Sequence, residues 1–391
     1  MKYGKVVLSF ILVFGFFPLF SYSQEGIKKD AGTLHFKLDV EGKYDDNVFL
    51  ESDNEKDDFI NIATPHIQYI LPFGFKARHL LQLFYKAEIG TFSDYTDQNY
   101  VNHDASINLN LKFPSGSIKV SNLYRDTSSR ADTEFSERID RIEDKGDITL
   151  STELNRLKFE GSVSYFTRDY DESEYSNLEY DETVGGFTVY YTPPPWEKTD
   201  LLLEYAHSEI DYESDSSRDG EYDQVMVGVR GEIASKTTGI IKCGYQDRNY
   251  DLASEEDFQS GVAEIGLLWD ISDDTKLKLT CERKAVESTY MSNNFYKANR
   301  FYTQFNQKFL GRFTFVSSLS YENNKYPEET TVGSETKKRE DDIYTVGVGL
   351  EYAFKEWWKA KVGYEYKNRD SNLDSEDYNR NLASITCSFL F

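Results

Sequence analysis

The chain has 391 residues, 68 of them acidic and 44 basic, for a formal charge of −24, and 39% of it is hydrophobic. So polar a composition excludes a bundle of transmembrane helices, each of which needs about 20 apolar residues in a row. So acidic a chain should also avoid nucleic acid and anionic lipid surfaces. A β-barrel remains open, because its strands show only every second residue to lipid.

The first residues read as a secretory signal. Lys2 and Lys5 form a basic start, an apolar run covers 6–20, and Ser21-Tyr22-Ser23 offers small residues where cleavage is decided. The run is short for a membrane span, and no cysteine follows it to mark a lipoprotein. The expected organisation is therefore a signal peptide over 1–23 cleaved after Ser23, a short periplasmic segment over 24–32, and one barrel domain over 33–391. Loss of Lys2 and Lys5 takes the formal charge from −24 to −26. No Pro/Gly/Ser-rich linker divides the remainder.

From Thr33 onward a single pattern recurs: alternating strand, short turn, alternating strand, long acidic loop. The short turns are Pro72-Phe73-Gly74, Pro114-Ser115-Gly116, Asn155-Arg156, Pro193 to Thr199, Ala234 to Lys236, Ser272-Asp273-Asp274, Leu310-Gly311 and Lys355-Glu356. Long loops include Asp45 to Asp58, Asp126 to Asp144, Asp211 to Asp223 and Tyr326 to Asp342. Eight short turns and nine long loops predict an all-β fold, a closed antiparallel transmembrane barrel of 18 strands. One miscounted hairpin would leave about 16. Turns at one end and loops at the other is the asymmetry of an outer-membrane barrel, and an even count returns both termini to the periplasm. A soluble sandwich also alternates, but it rarely needs so many hairpins.

Alternation is cleanest late in the chain. Tyr344, Val346, Val348, Leu350, Tyr352 and Phe354 share one face, with Thr345, Gly347, Gly349 and Glu351 on the other. Aromatics near strand ends, such as Tyr165, Tyr245, Trp269, Tyr321, Phe354 and Trp357, suit the girdles at the two membrane boundaries. In the last strand Ala383, Ile385, Cys387 and Phe389 should meet lipid, while Ser384, Thr386 and Ser388 face the lumen. The strand runs to an aromatic end at Phe391, resembling the C-terminal strand that barrel-assembly machinery recognises. It must pair with the first strand near Leu34 to Val40 for the barrel to close. Cys243, Cys281 and Cys387 fall on apolar faces and read as small lipid-facing hydrophobes rather than a disulfide framework or metal ligands.

The opposite faces carry charge, including Lys86, Lys119, Arg230 and Lys242 beside Glu88, Glu160, Glu204 and Glu264, as a hydrated interior requires. Tyr165 to Arg168, Tyr245 to Arg248 and Tyr366 to Arg369 each place an arginine three residues after a tyrosine at the loop-ward end of an up-going strand. Arg125 occupies the equivalent place after Tyr124. The spacings of 43 and 80 residues from Arg125 to Arg168 to Arg248 are close to one and two hairpin units. With Arg300 these form the candidate substrate-binding set Arg125, Arg168, Arg248, Arg300 and Arg369, whose guanidinium forks match carboxylate or sulfate groups. The simpler reading has each arginine paired with an acidic neighbour; Asp181, Asp223, Asp257 and Asp377 recur at the starts of down-going strands.

The acidic loop from Asp45 to Asp58 invites a calcium reading, but its spacing matches no defined cation loop, and a solvated, repulsive rim is the expectation. Divalent ions could bridge such loops to lipopolysaccharide. His35, His66, His79, His103 and His207 are scattered, and no nucleophile elbow, paired-His metal motif or phosphate loop appears. No catalytic residue, metal or cofactor is therefore expected.

The opening segment from Leu38 to Phe49, containing Tyr44-Asp45-Asp46-Asn47-Val48-Phe49, followed by Asp58-Phe59-Ile60 and Thr64-Pro65, resembles the putative β-barrel porin type 2 family. Arg168 to Tyr170 and Arg248 to Tyr250 are similar to that family's loop edges. The resemblance implies an outer-membrane barrel found alongside exopolysaccharide export, with those export components as partners and no catalytic residues to transfer. The expected function is a passive aqueous conduit for exported polysaccharide or other polar solutes. The alternatives are a structural or adhesive barrel plugged by its loops and a barrel hydrolase. Outer-membrane lipid, lipopolysaccharide and the barrel-assembly machinery are the expected contacts.

Overall fold

The computed structural model describes residues 27–29, 32–130, 134–251, 257–289, 292–332 and 335–391. The expected signal peptide and its cleavage position lie outside these. One antiparallel sheet contains every strand, and it closes on itself. A three-residue piece, β1 (Ile27–Lys29), pairs only with the start of the first long strand. The remaining eighteen strands are the barrel.

These are β2 (Gly32–Asp45), β3 (Asp58–Phe73), β4 (His79–Phe92), β5 (Tyr100–Phe113), β6 (Gly116–Thr127) and β7 (Arg141–Leu154). Next come β8 (Leu157–Tyr170), β9 (Tyr180–Tyr191), β10 (Thr199–Tyr212), β11 (Gly220–Ala234), β12 (Thr237–Tyr250) and β13 (Phe258–Asp270). The wall is completed by β14 (Thr275–Glu287), β15 (Phe295–Phe309), β16 (Phe313–Val332), β17 (Glu335–Lys355), β18 (Trp358–Ser371) and β19 (Tyr378–Leu390).

All eight short turns fall where the turn residues place them, at one edge of the barrel. Local chemistry explains several: Gly74 and Gly311 sit at φ of 76° and 70°, and Asn155 at 55°, the left-handed region these residues tolerate best. The loops at the other edge are shorter than their charge suggests. Strand structure consumes part of 126–144, leaving 128–140, and part of 211–223, leaving 213–219. The largest departure is 326–342, which is a two-stranded ribbon rising from β16 and β17 rather than a loop. Opposite charges face each other there at Glu329 and Lys338, and Thr331 shares a 2.9 Å hydroxyl contact with Thr336. A register shift between Lys325 and Glu329 accommodates Pro327, which cannot donate to the ladder.

Closure runs between β19 and β2, from Leu382 opposite Asp45 to Leu390 opposite Lys37. At the turn edge Phe36 and Phe391 exchange backbone hydrogen bonds of 3.1 and 2.8 Å. At the loop edge the Arg380 guanidinium grips the buried Asp45 carboxylate with two nitrogens, one at 2.9 Å. Asp46 accepts from both the backbone and side-chain nitrogens of Asn381 at 2.6 Å. Both ends of the seam are thus held by contacts that a shifted register would lose.

The faces follow the period-two pattern. Ile385, Val227, Leu203 and Val163 are more than half exposed on the lipid side, whereas Ser388 and Thr386 donate inward to Asp39 and Glu41. An aromatic run at the turn edge passes from Phe309 through Phe313, Tyr352, Phe354 and Trp358 to Phe389, with ring centroids 4.2–6.3 Å apart. Toward the loop edge, outward tyrosines point their hydroxyls at polar partners: Tyr205 to Asp223, Tyr321 to Asp342 and Tyr366 to Asn379, at 2.6–2.7 Å. An apolar ring body with a wet tip suits a membrane boundary. Cys243, Cys281 and Cys387 are all unpaired.

Candidate functional site

The five candidate arginines are spread around the barrel, on β6, β8, β12, β15 and β18, and each lies near a carboxylate. In each Tyr-x-x-Arg segment the tyrosine faces lipid and the arginine turns inward, as opposite parity requires: Tyr165 and Tyr245 are about half exposed, while Arg248 and Arg369 are buried. Arg248 contacts Glu287, and Arg369 reaches Glu376 at 2.9 Å. Arg300 pairs with Glu322 at 3.1 Å. Each of these three meets carboxylates of its own strand neighbourhood: Glu376 also holds Arg339, and Arg300 reaches Glu282 at 3.6 Å as well. Only Arg125 and Arg168 come together.

They meet at Glu143 on β7. Arg168 contacts Glu143 at 3.1 Å and Arg141 contacts it at 2.8 Å, while Arg125 lies 3.7 Å away. Arg125 also lies 3.9 Å from Asp104, which Lys86 holds at 2.7 Å. A cavity of about 460 Å³ opens beside them, lined also by Glu88, Asn102, Thr127, Ser129, Arg130 and Phe166. Charged side chains therefore line the inner wall from Lys37 and Asp39 on β2, with His66 beside Asp39, and from Lys86 through Asp104 and Arg125 to Glu143 on β7 and Arg168 on β8.

Arg141, Glu143, Arg130 and Glu134 belong to a stretch whose acidity reads as loop. A signal was present: Arg141, Glu143, Lys145 and Asp147 alternate with Ile142, Asp144, Gly146 and Ile148, so the strand begins at Arg141.

Loop 128–140 turns in over the mouth. Arg130 donates to the carbonyl of Val48 at 2.7 Å, tying this loop to the one between β2 and β3. Arg138 lies 3.7 Å over the Tyr100 ring, whose hydroxyl donates to Glu88 at 2.9 Å. Burial lowers the Arg130 guanidinium to about 10, and the nearby Arg380 and Arg138 push the same way. Burial likewise lowers Arg138.

Glu134 extends the loop to the far side. Its carboxylate accepts from the Ser288 hydroxyl at 2.7 Å and from the Thr289 backbone and hydroxyl at 2.6 and 2.9 Å. Loop 288–294 joins β14 to β15, so eight strands separate the two loops one way round the barrel and ten the other. From a third direction Arg218, in loop 213–219, donates to the Ser288 carbonyl. Asn293 fastens the same junction to the β16 ribbon through Thr330 and Glu328. Part of the acidic rim is thus drawn inward, through the Glu134 carboxylate, while the acids of residues 51–57 stay exposed to solvent. Among the described residues no group of three or more His, Cys, Asp or Glu is arranged to hold a metal ion.

A closed eighteen-strand wall with a charged interior, lipid-facing aromatics and loops on one edge is outer-membrane architecture. The sequence profile of one family, described as Putative beta-barrel porin 2, matches residues 21–389. The chain belongs to this family. As a member of Putative beta-barrel porin 2 it is a porin-like barrel of the outer membrane. Its fold is similar to OpdK of Pseudomonas aeruginosa, solved with vanillate, at 10% identity over 92% of this chain and 99% of that one, TM-score 0.48. It is similar also to OccAB3 of Acinetobacter baumannii, at 10% identity over 93% and 100% of the two chains, TM-score 0.48. The siderophore receptor PirA of Pseudomonas aeruginosa aligns at 11% identity over 93% of this chain and 81% of its own, TM-score 0.46. No curated protein matches the sequence.

Proposed function

We propose that this porin-like barrel is a passive, non-enzymatic conduit for polar solutes, narrowed at its outer mouth by loop 128–140. One observation carries the reading: charged side chains from Lys37 and Asp39, and from Lys86 through Asp104, Arg125 and Glu143 to Arg168, line the wall beneath that loop. A lumen built only for mechanical support would need no such hydrated lining, and eighteen strands leave room for water. An exported polysaccharide would need the Glu134 contact to Ser288 and Thr289 to open, since it crosses the mouth; smaller solutes could pass beside it. The signal peptide over 1–23, and recognition of the strand ending at Phe391 by barrel-assembly machinery, belong to the same reading.

The convergence of loops on Ser288 favours a second reading, a structural barrel plugged from above. Conductance of the refolded protein in planar bilayers separates the two. Discrete, ohmic openings support the conduit, and a barrel silent at every voltage overturns it. Openings that appear only after Glu134→Ala would favour the plugged barrel.

A further inference from the structure

We propose that the wall cavity bounded by Arg125, Arg168 and Lys86 is a binding site for a carboxylate-bearing solute of about the size of a sugar acid. The proposal rests on the conduit reading and names a solute class for it.

Charge balance is the first argument. The cavity is lined by five cations, Lys86, Arg125, Arg130, Arg141 and Arg168, and by three carboxylates, Glu88, Asp104 and Glu143. In a chain whose total is −24 this is a local positive excess. Arg130 donates instead to the carbonyls of Ser136 and Val48.

Geometry is the second. Glu143 is approached by three guanidiniums, and Arg141 and Arg168 take the close positions. Arg125 is left at 3.7 and 3.9 Å from its carboxylates, beyond hydrogen-bonding distance, with 47% of its side chain exposed to the cavity. A planar fork without a close partner, held in place by two loose ones, is arranged to take a carboxylate through two parallel N–H donors. The other walls suit a polyhydroxylated body: Ser129 and Thr127 offer hydroxyls, and Phe166 an apolar face. About 460 Å³ lies within the range of small-molecule sites.

The test is calorimetric titration of the full chain, refolded in detergent, with glucuronate and with glucose as its uncharged counterpart. Glucuronate should bind and glucose should not. Arg125→Gln should weaken glucuronate by about tenfold or more, the effect of one charge-assisted pair. Arg125→Lys, which keeps the charge but loses the fork, should fall between, and Lys198→Gln in a periplasmic turn should change nothing. Heat-shifted migration on gels confirms that each variant is folded. Equal binding of glucose, or unchanged binding in folded Arg125→Gln, overturns the site. A barrel that is silent in bilayers yet binds glucuronate through Arg125 overturns the conduit and leaves the site standing. A conducting barrel indifferent to glucuronate overturns the site alone.

Discussion

The Glu134 carboxylate accepts both the backbone N–H and the hydroxyl of Thr289, 155 residues away and nearly opposite on the barrel mouth. The contact makes loop 128–140 a strap rather than a free loop, and Glu134 is 5% exposed beneath it. Charge-assisted hydrogen bonds of this kind contribute roughly 1.5–3 kcal/mol each when their partners stay in place. Replacing Glu134 by Cys together with Thr289 by Cys, with Cys243, Cys281 and Cys387 changed to Ser, should let oxidation fix the strap. Oxidised barrels should then show steadier and smaller currents than reduced ones. Identical traces in the two states would show that the strap does not control passage.

Lipid and lumen faces predict opposite responses at adjacent positions of β19. Ile385→Arg puts a charge into hydrocarbon and should cost about 2–4 kcal/mol if it lies near the membrane midplane. Ser384→Arg turns into water beside Glu41 and Lys43, which line the same cavity, and should fold nearly as well as the parent. Urea titrations in lipid vesicles measure both. Equal loss at the two sites would mean that the faces are assigned wrongly.

The seam depends on Asp45. Removing it by Asp45→Ala leaves Arg380 beside Lys43 and Arg130 without its carboxylate, and breaking a buried pair from one side costs roughly 3–5 kcal/mol. Folding yield should fall sharply, and Asp45→Ala with Arg380→Met should recover part of it. A single variant as stable as the parent would remove the pair from any role in closure.

Several hairpin tops share one device. The residue just before a down-going strand accepts the backbone N–H that ends the preceding up-going strand: Asn99 for Phe92, Glu179 for Tyr170, Asp219 for Tyr212, Asp257 for Tyr250 and Asp377 for Ser371. Asp219→Ala should cost about 1 kcal/mol, as loss of a capping acceptor does. Burial, reinforced by Asp211, Asp251 and Asp215, raises the Asp219 carboxyl above the usual range, against the lowering effect of the Tyr212 N–H. A folded-state pKa above the unfolded one means that Asp219's contribution to stability is full below the unfolded value and is lost as pH rises through the folded one. Asp219→Asn should therefore be at least as stable as the parent near neutrality, with the advantage disappearing toward pH ~4. Thermal melts across that range check the sign; a deficit that grows with pH would contradict it.

The same device shows why some of the site was readable and some was not. Asp257 and Asp377 stand out in the sequence as strand-starting acids beside the arginines, but Arg168, Arg248, Arg300 and Arg369 pair with Glu143, Glu287, Glu322 and Glu376, and these two aspartates cap the preceding strands instead. Asp181 and Asp223 lie at the starts of their strands as read, while the residues just before those strands, Glu179 and Asp219, do the capping. Arg125 and Arg168 were visible as inward-facing from the parity of Tyr165 and Tyr124. Their shared partner Glu143 was hidden in a stretch too acidic to read as strand.

Alternation along the chain was enough to set the eighteen strands, their faces, the turn edge and the closing pair of strands. Each follows from a period of two and from turn residues that act locally. Partner choice was beyond it. Whether Arg168 meets Glu143 while Arg300 meets Glu322 depends on the stagger of neighbouring strands, and whether Glu134 reaches Thr289 depends on which way a loop leans over the opening. Those are relations between residues far apart in the chain, brought together only when the sheet closes.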